Sequence, residues 1–307
     1  MDEIASDDSM SRAMRLALAT CRALPAWEVD DRPLRAELEA RGAEIHEPPW
    51  DDAAVDWSEF DACLIRTTWD YMERAAEYLE WADRAARATQ LFNPAPVVRW
   101  NLHKSYLRDL ERRGVAIVPT IWLEAGQPAE IGSILEEKGW ERAFIKPMVG
   151  ANARESLRFA RDPAGVAAAQ AHTDRLLPFE GLMLQPYLDR VERDGEVSAI
   201  LVDGELTHGV RKVPVSGDYR VQDDFGARDY PFEFAGRERD AAQAAVDAAQ
   251  AALGLARPPL YARADFLRAA GDDLLLTELE LVEPSLFFRH SPPAAARLAD
   301  ALLTRLR

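Results

Sequence analysis

The sequence predicts a mixed α/β protein, with an open α/β unit near the N-terminus and antiparallel hairpins toward the C-terminus. A strand, a helix and two further strands follow one another in residues 15–66, the order of an open sheet whose strand ends carry ligands. Two later pairs of apolar runs are joined by Asp203-Gly204 and Gly271-Asp272, dipeptides typical of tight hairpin turns. A chain of 307 residues has room for two domains, or for one large α/β unit with a lid.

The N-terminal unit is predicted from strand and helix boundary signals. Its elements are a strand at 15–20, a helix from Asp30 or Asp31 to Gly42, strands at 43–46 and 60–66, and a helix at 73–88. The two prolines of FNPAPVVRWN, residues 92–101, predict a linker. The first strand is not followed by the glycine pattern GxGxxG, so a dinucleotide site of the Rossmann type is not expected.

The sequence RTTWDY, residues 66–71, begins where the third strand should end. Polar and aromatic groups in that position are a common pattern for a substrate site, and a helix N-cap at Thr68 or Asp70 is the alternative. The residues that would line the substrate end are Thr67, Thr68, Trp69 and Asp70. The candidates for gripping an acid are Arg66, Arg263 and Arg289, with structural ion pairing as the alternative for each.

Residues 101–188 carry two lysines in unusual places. The predicted elements are a helix from Asn101 to Gly114, a strand at 115–123, a helix at 129–138, a strand at 143–147, a helix at 163–172 and a strand at 181–188. Lys104 would lie in the first turn of its helix, where the helix dipole disfavours a cation unless it reaches an anion. Lys146 lies in an otherwise apolar strand, where it must snorkel or pair. The small residues of MVGANARES, 148–156, suit a flap over phosphates.

The C-terminal part is predicted to contain two strand pairs and two helices. The elements are strands at 196–202 and 205–213, a helix at 238–253 that Gly254 stops, a hairpin within 261–284 and a closing helix at 292–306. The second strand ends in Arg211-Lys212. The loop GDYRVQDDFG, 217–226, carries Arg220 and is predicted to be mobile.

The C-terminal hairpin has a register that predicts a metal site. If Gly271 and Asp272 form a two-residue loop, Asp265 faces Glu278 and Arg263 faces Glu280, and all four side chains lie on one face of the sheet. Facing carboxylates repel each other unless a cation lies between them. Oxygen ligands without nearby Cys or His suit Mg²⁺. A solvated acidic face on an edge hairpin is the alternative.

The overall charge argues against several classes of partner, with local basic patches as the alternative. A net charge of -16 and a pI near 4.8 disfavour nucleic-acid and anionic-membrane surfaces. No apolar run approaches the roughly 20 residues that a membrane span needs, and the acidic N-terminus is unlike a signal peptide. We therefore expect a cytoplasmic protein with a disordered tail at 1–12. Cys21 and Cys63 are expected to be buried free thiols.

Lysine is rare in this chain, which makes each lysine informative. Of 37 basic residues, 33 are arginine, and the lysines are Lys104, Lys138, Lys146 and Lys212. A chain so biased toward arginine would retain lysine where a compact ammonium is needed.

Together these motifs resemble the ATP-grasp superfamily of ATP-dependent carboxylate ligases. The resemblance rests on their order between Lys104 and Pro284: a lysine, a strand with Lys-Pro, a small-residue flap, a Gln-Pro-Tyr strand end, Arg-Lys, an arginine loop, and Asp with Glu-x-Glu. It implies an ATP-grasp fold preceded by an N-terminal open α/β domain. The implied division is a tail at 1–12, an N-terminal domain at 13–100, a lid or central subdomain at 101–188 and a C-terminal subdomain at 189–307.

The resemblance also implies roles for particular residues. The nucleotide would be bound by Lys104 and Lys146 at the phosphates, Gln185, Tyr187 and Leu188 around adenine, and Glu196 at the ribose. The catalytic cations would be Lys212, Arg220 and Arg263, and two Mg²⁺ would be held by Asp265, Glu278 and Glu280. There are departures: Glu280 stands where many members have Asn, Ser198 stands where glutathione synthetase-like members have Arg, and the flap is poor in glycine.

Within the superfamily, RTTWDY, NPAPVVRWNLHKSYLRDL and ELELVEPSLFF resemble a subgroup that includes the D-cycloserine-forming enzyme of antibiotic biosynthesis, which cyclises O-ureido-D-serine. This implies ATP- and Mg²⁺-dependent activation of a small carboxylate as an acyl phosphate, followed by attack of an amine from a second substrate or from the same molecule. An ATP-binding protein without ligase activity and an ATP-grasp kinase are the alternatives. A homodimer is expected by analogy alone.

Overall fold

The computed structural model describes residues 12–24, 29–150, 153–215, 217–221 and 226–307. These residues form three β-sheets with helices packed on their faces. The predicted disordered tail at 1–12 lies outside the described residues except for Arg12, as do parts of the predicted flap and of the predicted arginine loop. None of the helices in these ranges combines the length and hydrophobicity that a membrane span requires.

The first sheet is parallel and has the strand order β2-β1-β3-β4. Its strands are β1 (Arg15–Thr20), β2 (Glu44–His46), β3 (Ala62–Thr67) and β4 (Gln90–Phe92), and its helices are α1 (Arg32–Ala40), α2 (Ala75–Ala88) and α3 (Ala95–Asn101). The strands β1 and β3 are almost fully buried between helices, which explains their continuous apolar sequences. The predicted open α/β unit is confirmed.

The predicted linker at 92–101 is wrong, because this segment ends β4 and forms α3. Pro94 precedes the helix and Pro96 lies in its first turn, where the missing N–H costs no helical hydrogen bond. Asn101 is the last residue of α3 and does not cap the next helix, α4 (Tyr106–Glu111). Its side-chain amide instead donates to the Leu279 carbonyl and accepts from the Leu281 amide, both at 2.7 Å.

The second sheet is small, antiparallel and ordered β5-β8-β6-β7. Its strands are β5 (Ile121–Leu123), β6 (Arg142–Pro147), β7 (Leu157–Ala160) and β8 (Leu182–Pro186), and its helices are α5 (Ile131–Lys138) and α6 (Pro163–Leu176). The strand β7 was not predicted, and the predicted strand at 115–123 is regular only at its end. The Asp162 side chain caps α6 by accepting from the Gly165 amide at 2.8 Å.

The third sheet is antiparallel and ordered β11-β10-β9-β12-β13. Its strands are β9 (Glu196–Val202), β10 (Glu205–Val213), β11 (Arg228–Phe232), β12 (Tyr261–Arg268) and β13 (Leu274–Glu280); the one-turn helix α7 (Val191–Asp194) precedes it, and α8 (Arg237–Leu253) covers one face. Asp203 and Gly204 both have positive φ, as a two-residue hairpin turn requires. The strand β11 lies beyond β10 and was not predicted.

The C-terminal hairpin has the predicted register at its functional end but a different turn. Asp265 pairs with Glu278 and Arg263 with Glu280, as predicted, whereas Phe266 pairs with Leu276. Thr277 is therefore an extra residue on β13, and its hydroxyl donates to the Asp265 carbonyl at 2.9 Å. The turn contains three residues, 270–272, because the Ala269 amide donates to the Asp273 carbonyl. The predicted two-residue turn is wrong, and the bulge compensates for the difference in register.

The helix α9 (Pro292–Leu306) packs on α1, although the two lie at opposite ends of the sequence. Leu298 and Leu302 of α9 share a buried cluster with Leu34 and Leu38 of α1 and with Leu16 of β1. A second cluster, rich in tryptophan and tyrosine, lies under α2 on the other side of the first sheet. The C-terminal residues thereby complete the core of the first sheet.

Candidate active site

A cavity of about 380 Å³ lies between the small second sheet and the third sheet, and the segment after β3 closes one end of it. The twelve residues predicted to bind the nucleotide, to bind metal or to act as catalytic cations all line this cavity: Lys104, Lys146, Gln185, Tyr187, Leu188, Glu196, Lys212, Arg220, Arg263, Asp265, Glu278 and Glu280. They come from sequence positions more than 170 residues apart, so the fold brings together what the motif order only suggested.

Glu278 of β13 connects two lysines that lie on different structural units. Its carboxylate accepts from Lys104 Nζ at 3.0 Å and from Lys146 Nζ at 2.8 Å, and all three side chains are largely buried. Burial would raise the pKa of Glu278, but the two ammonium groups outweigh it and hold this pKa well below its usual range. Both lysines therefore face the cavity as charged groups held by one ionised carboxylate.

Lys212 lies in a second buried cluster on the third sheet. Its Nζ is 2.5 Å from Glu196, the residue opposite it on β9, and 3.4 Å from Asp265. The Ser198 hydroxyl donates to Asp265 Oδ1 at 2.5 Å. Burial raises the pKa of Asp265, but Arg263 and Lys212 outweigh it and lower this pKa overall. Ser198 thus orients Asp265. An arginine at position 198 would instead place a further cation in this cluster.

Arg263 connects two of the acidic residues on the hairpin. It donates through Nε to both oxygens of Asp265, at 3.0 and 3.1 Å, through Nη2 to Glu280, and through Nη1 to the Ser285 carbonyl at 3.2 Å. Burial raises the pKa of Glu280 to about 7; Arg263 opposes this rise, and the neighbouring carboxylates add to it. The pKa of Glu280 therefore lies closer to neutral pH than that of an ordinary glutamate.

The predicted metal ligands Asp265, Glu278 and Glu280 share the cavity but do not converge on one point. Within the described ranges, no three His, Cys, Asp or Glu side chains are grouped closely enough to hold an ion. Each of these carboxylates contacts a lysine or an arginine instead. Their chemistry nevertheless fits Mg²⁺, since they supply hard oxygen donors from facing positions of one hairpin.

The other end of the cavity is aromatic. Phe144 and Tyr187 approach Tyr219 edge-on, with ring centroids 5.2 and 6.3 Å away. The Gln185 amide donates to the Thr120 hydroxyl at 2.8 Å, which fixes its orientation. Flat apolar walls with a few oriented polar groups are the usual surroundings of a planar ligand such as a purine base.

For Arg66 the structure favours structural ion pairing, the alternative to acid binding. Arg66 is fully buried outside the cavity, where Nε and Nη2 donate to the two Asp31 oxygens at 2.8 and 3.0 Å. A further hydrogen bond from Nη2 reaches the Pro284 carbonyl at 2.9 Å. The fork-shaped pair with Asp31 ties β3 to the start of α1, and the hydrogen bond to Pro284 ties it to the segment after β13.

The RTTWDY motif contributes to the cavity in part. Thr67 and Thr68 are buried and bond to other side chains, and neither Thr68 nor Asp70 caps a helix. These two threonines and Asp70 do not line the cavity. Trp69 and Tyr71 do line it. Of the four residues predicted to line the substrate end, Trp69 is the one that lines the cavity.

Other residues at this end were not predicted. Glu283, Ser285 and Phe287 line the cavity beside Tyr71. Glu283 lies in the sequence ELELVEPSLFF but follows the end of β13. Strand alternation therefore does not predict which way its side chain points. Arg289, which was a predicted candidate for gripping an acid, lies at the same end and pairs with Asp30 at 3.1 Å.

Arg220, predicted as a catalytic cation, lines the cavity from a loop. It pairs with Asp218 at 2.7 Å, and this pairing is the main cause that holds the pKa of Asp218 well below its usual range. Arg220 therefore remains a cation at the cavity, oriented by an acidic neighbour on its own loop.

Comparison with known proteins agrees with this architecture. Residues 16–93 match the family model described as the D-cycloserine synthetase DcsG, N-terminal domain. The chain is 35% identical over 301 residues to the cycloserine biosynthesis protein DcsG of Streptomyces lavendulae, covering 95% of this chain and 99% of that protein. It is similar to the crystal structure of D-cycloserine synthetase DcsG, with a TM-score of 0.87, 32% identity and coverage of 95% and 100% of the two chains.

A more distant structure supports the fold. The D-alanine–D-alanine ligase of Bacillus anthracis, solved in complex with ATP, superposes with a TM-score of 0.66 at 14% identity, covering 96% of this chain and 97% of that one. At this identity the likeness concerns the fold alone. The 35% identity to DcsG over nearly the whole of both sequences shows the family as well as the fold. The chain is a member of the D-cycloserine synthetase family and has the ATP-grasp fold.

Proposed function

We propose that this protein is an ATP- and Mg²⁺-dependent ligase that activates a small, amino-acid-like carboxylate as an acyl phosphate for attack by an amine. The observation that supports this most strongly is the cavity, in which Lys104, Lys146 and Lys212 meet the acidic residues of the β12–β13 hairpin. Family membership favours cyclisation of a single substrate, as in D-cycloserine formation. ADP and phosphate are the other products.

The lysines account for phosphate binding and for stabilisation of the transferred group. Lys104 and Lys146 would contact the ATP phosphates, and Lys212 and Arg220 would stabilise the phosphoryl group in transit. These cations are already held in place by acidic neighbours, so little reorganisation is needed during the reaction. Their burial strengthens each interaction, because the effective dielectric is lower than in water.

The remaining predicted residues would position the reactants. Gln185, Tyr187 and Leu188 would surround the adenine, and Glu196 would contact the ribose. Arg263 would hold the carboxylate being activated. Two Mg²⁺ ions would be held by Asp265, Glu278 and Glu280, and when bound they would neutralise charge on the phosphate oxygens.

The test is Mg²⁺-dependent ADP release from the purified protein against a panel of amino acids that includes O-ureido-D-serine, each with and without an added amine. Release that depends on one acid supports the ligase and names its substrate class. Release without an added amine, with a cyclic product, supports cyclisation. A stable phosphorylated product would indicate a kinase, and ATP binding without acid-dependent release would refute the proposal.

A further inference from the structure

Glu283 differs from the other acidic residues of the cavity in making no direct ion pair within the described part of the chain. The carboxylates that line the cavity are Glu196, Asp265, Glu278, Glu280 and Glu283. The first four each pair with a lysine or an arginine. Among the residues that the structure describes, Glu283 is the one member of this set without an ion pair. Lys104 and Arg263 lower its pKa, but their direct ion pairs are with other carboxylates, so the Glu283 carboxylate is available to a cationic ligand.

Two aromatic residues lie at Glu283. Hydrogen bonding with Tyr71 lowers the pKa of the Glu283 carboxyl, and the Tyr71 ring stacks on Tyr78 with centroids 4.7 Å apart. The Trp69 indole N–H donates to the Glu283 main-chain carbonyl at 2.9 Å. Burial raises the pKa of Glu283, and Tyr71, Lys104 and Arg263 oppose this rise without cancelling it. Such an arrangement is retained more readily for binding than for stability.

The surroundings distinguish an ammonium ion from a metal ion. Glu283 follows the end of β13, and the cavity wall beside it is formed by Trp69, Tyr71 and Phe287. Aromatic rings attract organic cations through their faces but offer Mg²⁺ no ligand. Arg263 lines the same cavity and bears the positive charge that a substrate carboxylate requires. The site thus presents complementary charges to the two ends of a zwitterion.

We propose that Glu283, oriented by Tyr71, binds the α-ammonium group of the substrate and so selects amino acids over carboxylic acids that lack the amine. This inference depends on the proposed ligase function and refines its substrate class. Glu283 acts as a specificity-determining residue.

The test compares O-ureido-D-serine with the matched acid that lacks the α-amino group, 3-(ureidooxy)propanoate. The KM for the amino acid and the inhibition constant for the matched acid are measured in the wild-type protein, Glu283→Gln and Tyr71→Phe. Loss of a charge-assisted contact predicts that KM rises by about 10- to 100-fold in Glu283→Gln, while the inhibition constant does not rise. The ratio of this KM to this inhibition constant measures the preference for the amine. Tyr71→Phe, which keeps the carboxylate, is expected to change this ratio by less than Glu283→Gln does.

Glu205→Gln is the matched control, because Glu205 is an exposed residue of β10 outside the cavity, and it should leave the ratio unchanged. An active Glu283→Gln protein with an unchanged ratio would overturn this inference alone. A higher Mg²⁺ requirement with equal weakening of both acids would also overturn it, by assigning Glu283 to the metal site. A wild-type protein that releases no ADP with any acid would overturn the proposed function and this inference together.

Discussion

Glu278→Gln separates the proposed metal-binding role of Glu278 from its structural role. The substitution leaves Lys104 and Lys146 without the carboxylate that contacts them at 3.0 and 2.8 Å. Breaking a buried ion pair costs about 3–5 kcal/mol, and we expect the lower end because glutamine keeps one acceptor oxygen. An unfolding entropy of about 2.1 cal/mol/K per residue then predicts a fall in Tm of about 5 °C for a chain of this length.

The effect of this substitution on catalysis is expected to be much larger than its effect on stability. If Glu278 binds Mg²⁺, its loss should remove about 4 kcal/mol of transition-state stabilisation, or about 10³-fold in Mg²⁺-dependent ADP release. Tm is measured by calorimetry and ADP release by a coupled assay on the same preparation. Glu137→Gln is the matched control, since it removes an exposed carboxylate that pairs with Lys138 at 2.9 Å. It should alter neither Tm nor activity.

Two results would contradict this reasoning. Turnover in Glu278→Gln within about tenfold of the wild-type rate would refute the assignment of Glu278 as a metal ligand. A variant that is unfolded at the assay temperature would instead show that Glu278 is needed chiefly to neutralise the two lysines.

Three further predictions concern the hairpin, the first sheet and Gly195, which precedes β9 and lies against the Lys212 backbone. The pKa of Glu280 is raised from 4.5 to about 7, so its stabilising contribution is complete below pH 4.5 and lost as the pH rises through 7. By calorimetry, metal-free Glu280→Gln should therefore have a higher Tm than the wild-type protein at pH 8 but not at pH 5. The same difference in Tm between variant and wild type at both pH values would contradict this. Arg66→Lys should lower stability by about 3 kcal/mol in denaturant titration without changing the KM for the acid, whereas a selective rise in KM would show substrate contact. Gly195→Ala should lower both Tm and kcat, because its φ is +73° and a Cβ would lie 2.3 Å from the Lys212 carbonyl oxygen. Gly42→Ala, with φ +85° but no atom within 4 Å, should cost only about 1 kcal/mol and leave kcat unchanged.

The hairpin shows how far strand periodicity reaches. Alternation and a tight turn placed Asp265 opposite Glu278, and the structure confirms that pairing. A regular ladder predicts a two-residue turn. The turn in the structure is one residue longer, and the bulge at Thr277 restores the register. Bulges depend on contacts with neighbouring strands, so a local pattern does not reveal them.

Prolines and strand ends account for the main errors in the predicted elements. The segment at 92–101 was predicted as a linker because it contains two prolines, yet both lie at the start of α3, where proline is tolerated. Arg66 pairs with Asp31, and a partner 35 positions away is not visible in the local sequence. Glu283 lies beyond the last strand, where its orientation follows from Tyr71 and Trp69 rather than from a repeat.

The packing of α9 against α1 affects the order in which the protein folds. About 250 residues separate these two helices in the sequence, so at 5–20 residues per second a ribosome makes α9 roughly 10–50 s after α1. During that interval the leucines of α1 have no apolar cover from the C-terminal helix. The core of the first sheet is therefore completed only after α9 has been synthesised. Because exposed apolar surface on nascent chains promotes aggregation, we expect this protein to depend on chaperones during synthesis.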